Sequence, residues 1–340
     1  MQLLVIGGTS FLGRAAVVEA LARGWVVTTF NRGVSGPDVD GVEPLRGDRA
    51  DPSALGQLEG RRFDVVVDTC GFVPRVVGGS ARALAGSGAH YVFVSSISAT
   101  STWPGQPTPE GLDGQPCSAD AGPDDGGYGE LKAGCERAVA EVFGESTTVA
   151  RAGLIIGPHE NIGRLPWWLA RIARGGEVLA PGDPAEPMQL VDARDLAAFL
   201  LDCGERRTGG TFNATAPRGN ATFGSWLADC VEVTRSGATL TWVDDDVLLA
   251  HQVQPWTELP LWMPKGLPGE DNGDHVWDAD VSLAAGAGLR TRPVRESVAD
   301  TWAWMQAGGS VPEAPPRYYL VPHGIEPAKE AAVLAAWHAR

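Results

Sequence analysis

Tyr128 stands four residues before Lys132 in the segment YGELKAGCERAV, in a chain of 340 residues that holds only four tyrosines and three lysines. The segment reads as a helix, and a spacing of four puts both side chains on one face of it. An ammonium beside a phenol favours the phenolate and draws its pKa toward working pH, as a general acid/base requires. An exposed helix with an ordinary Tyr/Lys pair would show the same spacing, so the elements that position the pair must decide between the two.

Those elements begin at the first residues. The apolar run at 2–6 predicts a strand, followed by GGTSFLG and the helical pattern RAAVVEALARG ending at Gly24. Strand, glycine turn and helix together present backbone N–H groups and a helix N-terminus to a pyrophosphate. Gly7 and Gly13 permit the tight turn, and Thr9, Ser10, Phe11 and Leu12 complete the candidate cofactor contacts. The spacing is GxxGxxG with Ser10 at the middle glycine; a glycine-rich turn that holds no ligand is the competing reading.

WVVTTF predicts a second strand ending at Asn31-Arg32-Gly33. A carboxylate here would bind the ribose 2′-hydroxyl of NAD, whereas Arg32 suits a 2′-phosphate, which favours NADP over NAD. Asn31 can still bond a hydroxyl. EPLRGDRAD reads as a third strand ending in Asp48, an acceptor for the adenine amino group or else part of a polar turn. FDVVVDTCGF predicts a fourth strand running into Thr69, Cys70 and Gly71, and AHYVFVSSIS a fifth ending in Ser95 and Ser96. Near-continuous apolar strands alternating with helices predict an α/β fold with a doubly wound parallel sheet. Ligands of such sheets lie beyond the carboxyl ends of the strands, where Gly7, Asn31, Thr69 and Ser96 all fall.

The glycine turn, the strand-ending serines and the later YxxxK resemble the short-chain dehydrogenase/reductase superfamily, in its extended and atypical, epimerase/dehydratase-like branch. RAGLIIGP, VDARDLAAFLL, FNATAP and GLRTRPVRESVADTWAWM resemble the second half of that branch, so the resemblance covers most of the chain. It implies a Rossmann-type sheet with a smaller C-terminal substrate-binding region. It makes Tyr128 the general acid/base, has Lys132 bond the nicotinamide ribose, and has Ser96 hold the substrate oxygen, with Ser98 as the alternate. Gly153 and Leu154 join the implied cofactor contacts. Dehydratases of the family carry an Asp-Glu pair after that serine or threonine; Ile97 and Ser98 stand there instead, leaving a reductase, a dehydrogenase or an epimerase.

Residues 101–127 are crowded with Pro, Gly and Asp and have no periodicity. So long a loop is usually functional or mobile, and Trp103 becomes a candidate substrate wall. Beyond the sixth strand, TTVARAGL, the segment GPHENIGRLPWW places His159, Asn161, Arg164 and Trp168 where the resemblance expects substrate, with Arg164 suited to a phosphate or carboxylate. Trp167 and Trp168 read more readily as core and lid packing than as stacking platforms. Asp192, Arg194 and Asp195 read as structural. The expected organisation is a cofactor unit over 1–155 with contributions from about 185–215, a mainly substrate-binding region over 156–308, and a tail over 309–340. The tail ends in a short amphipathic helix with Val333, Leu334 and Trp337 on its apolar side, to dock on its own chain or on a second copy in a homodimer.

A formal charge of −15 argues against nonspecific binding to phosphate backbones, so no nucleic-acid partner is expected. The opening lacks a signal-peptide pattern and no run of about eighteen apolar residues appears, so a cytoplasmic protein without a membrane partner is expected. Five scattered cysteines without CxxC and histidines without close spacing predict neither disulfides nor a metal. The reading is an NAD(P)-dependent oxidoreductase acting on a small-molecule carbonyl or alcohol. Its alternatives are a nucleotide-sugar epimerase and a non-catalytic cofactor-sensing or RNA-binding protein.

Overall fold

The computed structural model describes residues 1–267, 269, 272–311 and 323–340. Its first half runs β1 Gln2–Ile6, α1 Phe11–Ala22, β2 Val26–Asn31, β3 Glu43–Arg46, α2 Pro52–Leu55, β4 Val65–Asp68, α3 Pro74–Leu84, β5 His90–Ser96, α4 Tyr128–Phe143 and β6 Thr147–Ala152. Then follow β7 Leu154–Ile156, α5 Arg164–Ala173, β8 Glu177–Pro181, β9 Pro187–Met188, β10 Leu190–Asp192, α6 Ala193–Arg206 and β11 Gly210–Ala214. The chain closes with β12 Ala221–Thr222, α7 Phe223–Thr234, β13 Thr239–Val243, α8 Asp245–Ala250, α9 Ser282–Ala287, α10 Val294–Gln306 and α11 Pro327–His338.

Seven strands form one parallel sheet in the order β11-β6-β5-β4-β1-β2-β3. The twofold alternation of β1 explains why both faces are covered. Leu3 and Val5 enter a core with Ala16 and Val17 of α1 and Leu196 and Leu200 of α6. Leu4 and Ile6 enter the opposite core with Val77 and Leu84 of α3 and Cys135 and Val139 of α4. The sheet is therefore the doubly wound Rossmann-type sheet expected, and the chain changes direction across it at β1, between β2 and β4. That switch point, at the carboxyl ends of the strands, is where sheets of this kind form a crevice for ligand.

Short strands pair beside this sheet as β7 with β10, β8 with β13 and β9 with β12. They enclose a third core around Trp168, Trp226 and Phe223. Helix α11 docks on its own chain: Val333 and Leu334 enter that core, and buried Glu330 accepts from Arg171 Nε at 2.7 Å and from the Leu179 N–H at 3.1 Å. Residues 312–322 of the tail lie outside the described residues. The long loop after β5 is tied down: Arg137 donates to the carbonyls of Cys117 and Gly114, Arg151 donates to that of Leu112, and Thr108 exchanges backbone bonds with Asp278 and Asp280. Among the described residues no helix is long and apolar enough to cross a membrane.

Candidate active site

The glycine turn sits at the carboxyl end of β1. Gly7 and Gly8 adopt φ of 113° and 97°, which side chains rarely tolerate. A Cβ on Gly13 would lie 2.8 Å from both the Gly8 nitrogen and Thr69 Oγ1, so the turn closes on α1 only because that residue is glycine. At the middle position the Ser10 hydroxyl accepts from Asn161 Nδ2 at 3.2 Å, which ties the turn to the segment after β7. Helix α1 starts here, directing its first N–H groups across the turn. The cradle fits a pyrophosphate. Thr9, Phe11 and Leu12 are buried, and Leu12 belongs to the core, so any contact they make with a phosphate is through backbone.

The carboxyl end of β4 is polar. Asp68 is fully buried at the end of β4, where Arg49 donates to it in fork fashion at 2.8 and 2.7 Å and Tyr91 Oη adds a bond of 2.8 Å. Thr69 Oγ1 donates to the Ile6 carbonyl at 3.2 Å, pinning β4 to β1. Burial pushes the Cys70 thiol up, keeping it protonated. Arg49 is invisible to the sequence reading because nothing near it in sequence is its partner.

At the end of β2, Asn31 Nδ2 donates to the Gly7 carbonyl at 3.1 Å, while its Oδ1 accepts from Gly33 N and from Arg46 Nη1. Arg32 extends mostly into solvent, with its guanidinium 4.0 Å from exposed Asp48. The expectation of NADP thus rests on a loosely held side chain, and Arg46 at the end of β3 was missed.

Helix α4 carries Tyr128 in its first turn, with Glu130 accepting from the Gly127 N–H at 2.7 Å to cap it. Tyr128 is 37% exposed and Lys132 is buried. Lys132 Nζ donates to the carbonyls of Gly71 at 2.8 Å and Val94 at 2.6 Å, with the Phe93 ring centroid 4.6 Å away. The ammonium therefore joins the carboxyl end of β5 to the segment after β4 rather than standing in open solvent.

The two serines reach α4 through its second residue. A Cβ on Gly129 would lie 2.0 Å from the Ser98 carbonyl oxygen, so glycine beside Tyr128 is what lets the serine turn approach the helix. Ser96 Oγ donates to Ser98 Oγ at 3.2 Å and accepts from the Ser98 N–H at the same distance, which makes the two hydroxyls one hydrogen-bonded pair. Below them Ser95 donates to Glu136 at 2.5 Å, and Arg151 donates to the same carboxylate at 3.0 and 2.7 Å. This buried triad fixes α4 against β5 and β6.

Other expected residues are dispersed. Gly153 faces Thr215, whose Oγ1 a Cβ would meet at 2.4 Å, and Leu154 packs in the third core, leaving only backbone for a cofactor. Trp103 donates to the Val276 carbonyl at 3.2 Å and lies edge-on to Trp256, and Arg164 covers the other partner of that cluster, its guanidinium 5.7 Å from the Trp256 centroid. The His159 ring lies tilted against Trp304 with centroids 5.2 Å apart, and its pKa is lowered by burial. The expectation for Trp168 is corrected: it has no exposed surface and its indole donates to the Pro260 carbonyl at 2.9 Å, so it fills the core.

Fold and site together define a Rossmann-type α/β protein with a glycine turn after β1 and a YxxxK helix packed on the serine turn after β5. Residues 3–214, more than half of the chain, match the NAD dependent epimerase/dehydratase family, and the chain belongs to it. No protein of curated function matches in sequence. Among solved structures it resembles the Bordetella bronchiseptica enzyme WbmH in complex with NAD+, at 15% identity and TM-score 0.68 over 91% of this chain and 99% of that one. It also resembles a UDP-glucose 4-epimerase of Thermotoga maritima with UDP-glucose, at 18% identity and TM-score 0.66 over 91% and 99%. A third likeness is a dTDP-4-dehydrorhamnose reductase of Clostridium acetobutylicum, at 15% identity and TM-score 0.60 over 90% and 100%.

Proposed function

We propose that the chain is a nicotinamide-dinucleotide-dependent oxidoreductase acting at a carbonyl or alcohol carbon, with Tyr128 as its general acid/base. The observation that carries this is the Gly129–Ser98 approach, which packs the serine turn after β5 against the first turn of the helix that carries Tyr128. A bound dinucleotide would supply or accept the hydride. On binding, the Ser96 hydroxyl turns its proton from Ser98 Oγ to the substrate oxygen and so fixes it near the phenol. Tyr128 takes the proton from an alcohol or returns it to the oxygen of a carbonyl. Lys132, through its bonds to the Gly71 and Val94 carbonyls, braces the ends of β4 and β5 beside α4. Ile97 and Ser98 supply no acid/base pair for elimination of water, which favours redox chemistry over dehydration.

A second reading, epimerisation of a nucleotide sugar, is favoured by the full-length likeness to an epimerase that carries UDP-glucose. It would draw on the same residues in an oxidation followed by re-reduction. The experiment is to purify the protein, extract it for resident nucleotide, and titrate it with NADH and NADPH. Exchangeable binding together with turnover in a carbonyl screen supports the reductase, while resident NAD supports epimerisation. Binding of neither, or a Tyr128→Phe protein that retains full cellular function, overturns the catalytic reading in favour of a non-catalytic role.

A further inference from the structure

The long loop leaves the serine turn and comes back to it. On its outward path it is bound to the substrate half: the Trp103 indole donates to the Val276 carbonyl at 3.2 Å, and the Pro104 carbonyl accepts from the His275 N–H at 3.1 Å. On its return it reaches Gln115. The serine turn is the single 3-10 turn Ile97–Ala99, and inside it the Ile97 carbonyl accepts from the N–H and the hydroxyl of Thr100. The next three carbonyls, of Ser98, Ala99 and Thr100, all accept from Gln115. Its backbone N–H donates to Ala99 at 2.7 Å, and its Nε2 donates to Ser98 at 2.8 Å and to Thr100 at 3.3 Å. A carboxamide nitrogen carries two N–H groups, so it serves both side-chain bonds at once.

The same nitrogen lies against the helix that carries Tyr128. A Cβ on Gly129 would sit 2.6 Å from Gln115 Nε2, and one on Gly114 would sit 2.9 Å from Ala133 Cβ, so this segment is wedged between the serine turn and α4. The carbonyls it holds belong to the residues whose hydroxyls matter, since the N–H and the hydroxyl of Ser98 both bond Ser96 Oγ. Resting on the catalytic reading above, we infer that Gln115 is a positioning residue: by donating to the Ser98 and Thr100 carbonyls it sets the Ser96 and Ser98 hydroxyls at the place relative to Tyr128 that proton transfer needs. It acts through the turn and takes no proton itself. What the position requires is a donor, because glutamate has the same shape and, when ionised, turns an acceptor toward two acceptors. A displacement of about 1 Å at reacting groups is enough to cost about a hundredfold in rate. No local pattern marks this glutamine, which stands in a loop crowded with Pro, Gly and Asp.

The test compares the full-length wild type with Gln115→Glu and Gln115→Met, the second keeping the length of the side chain without a donor. Benzaldehyde, cyclohexanone and pyruvate with NADH or NADPH, and UDP-glucose with NAD, are the probes, and the variants are read on whichever the wild type turns over. At about pH 8 both variants are expected to lose about tenfold or more in kcat while the KM for the nucleotide stays within about twofold. On acidification to about pH 5 the introduced carboxyl gains a proton and can donate again, so the loss in Gln115→Glu relative to wild type is expected to shrink while that in Gln115→Met stays constant. Amide hydrogen exchange gives a readout free of turnover: peptides covering 96–102 are expected to exchange about tenfold faster in Gln115→Met, with those of β1 and α1 unchanged. This arm serves also if the glutamate variant melts early. Wild-type kcat in both variants, equal losses for both at every pH, or unchanged exchange at 96–102 overturns the inference while leaving the catalytic reading intact. A wild type that binds no nucleotide overturns both.

Discussion

The Cα of Gly129 faces the Ser98 carbonyl so closely that a Cβ there would sit 2.0 Å from the oxygen, which also accepts from Gln115 Nε2 at 2.8 Å. Gly129→Ala must therefore push the first turn of α4 off the serine turn. The clash is with backbone and cannot be relieved by a rotamer change. A loss of about 1–3 kcal/mol, the usual range for overpacking, is expected. Turnover should fall further than stability does, because Tyr128 and Ser96 separate. Denaturant unfolding checks the first figure and a substrate assay the second; unchanged turnover would detach the serines from the chemistry.

The glycine turn makes a paired prediction. Gly13→Ala places a Cβ 2.8 Å from the Gly8 nitrogen and Thr69 Oγ1, so nucleotide affinity should drop at least tenfold. Ser10→Gly restores the missing motif glycine and removes only the bond from Asn161. It should change stability by a few tenths of a kcal/mol and leave affinity within about threefold. Equal effects at the two positions, measured by melting and nucleotide titration, would show that the turn does not cradle the cofactor.

What could be read in advance follows a physical division. Elements whose evidence is local, such as the apolar strands, the turn at Gly7 and the YxxxK spacing, are all visible in a linear pattern. Fold class followed from them. The contacts that position the chemistry join residues far apart in sequence: Arg49 with Asp68, Glu136 with Ser95 and Arg151, Arg46 with Asn31 and Asp38. Each is an ordinary charged residue until the sheet brings its partner to it. Trp168 misled because a tryptophan beside a candidate ligand loop looks the same whether it faces the ligand or the core; here the periodicity of α5 turns it inward.

Tyr128 and Lys132 should separate by stability although they act together. Tyr128 is partly exposed, and Tyr128→Phe should alter unfolding free energy by no more than about 0.5 kcal/mol. It should leave nucleotide affinity unchanged and lower kcat by about a hundredfold or more, the usual contribution of a general acid/base. Lys132→Met removes the donor to the carbonyls of Gly71 and Val94 and should destabilise by about 1–3 kcal/mol. It should also weaken nucleotide binding, since those carbonyls border the crevice. A phenylalanine variant with wild-type kcat would remove Tyr128 from the mechanism.

Two buried groups should oppose each other in the pH dependence of stability. The Thr148 hydroxyl donates to the Thr208 carbonyl at 2.6 Å, so its oxygen must accept from His90 Nε2 at 2.7 Å, leaving bare Nδ1 buried among the described residues with no partner. Burial, with Arg207 nearby, lowers the His90 pKa from 6.5 to about 4. The unfolded chain then binds more protons than the native one between those values, so this contribution is intact above pH 6.5 and is lost on acidification toward pH 4. At about 1.4 kcal/mol per pKa unit, its ceiling is about 3 kcal/mol. Glu160, buried at the start of α5 where it accepts from the Arg164 N–H at 2.7 Å, has the opposite sign: desolvation raises it from 4.5 to about 7, so the native chain holds the extra proton and stability falls as pH rises through that interval. Unfolding free energies measured from pH 4.5 to 7.5 should therefore show His90→Gln losing less than the wild type on acidification, and Glu160→Gln losing less as pH rises from 4.5 to 7. Parallel curves for all three proteins would mean that neither group changes its pKa on folding.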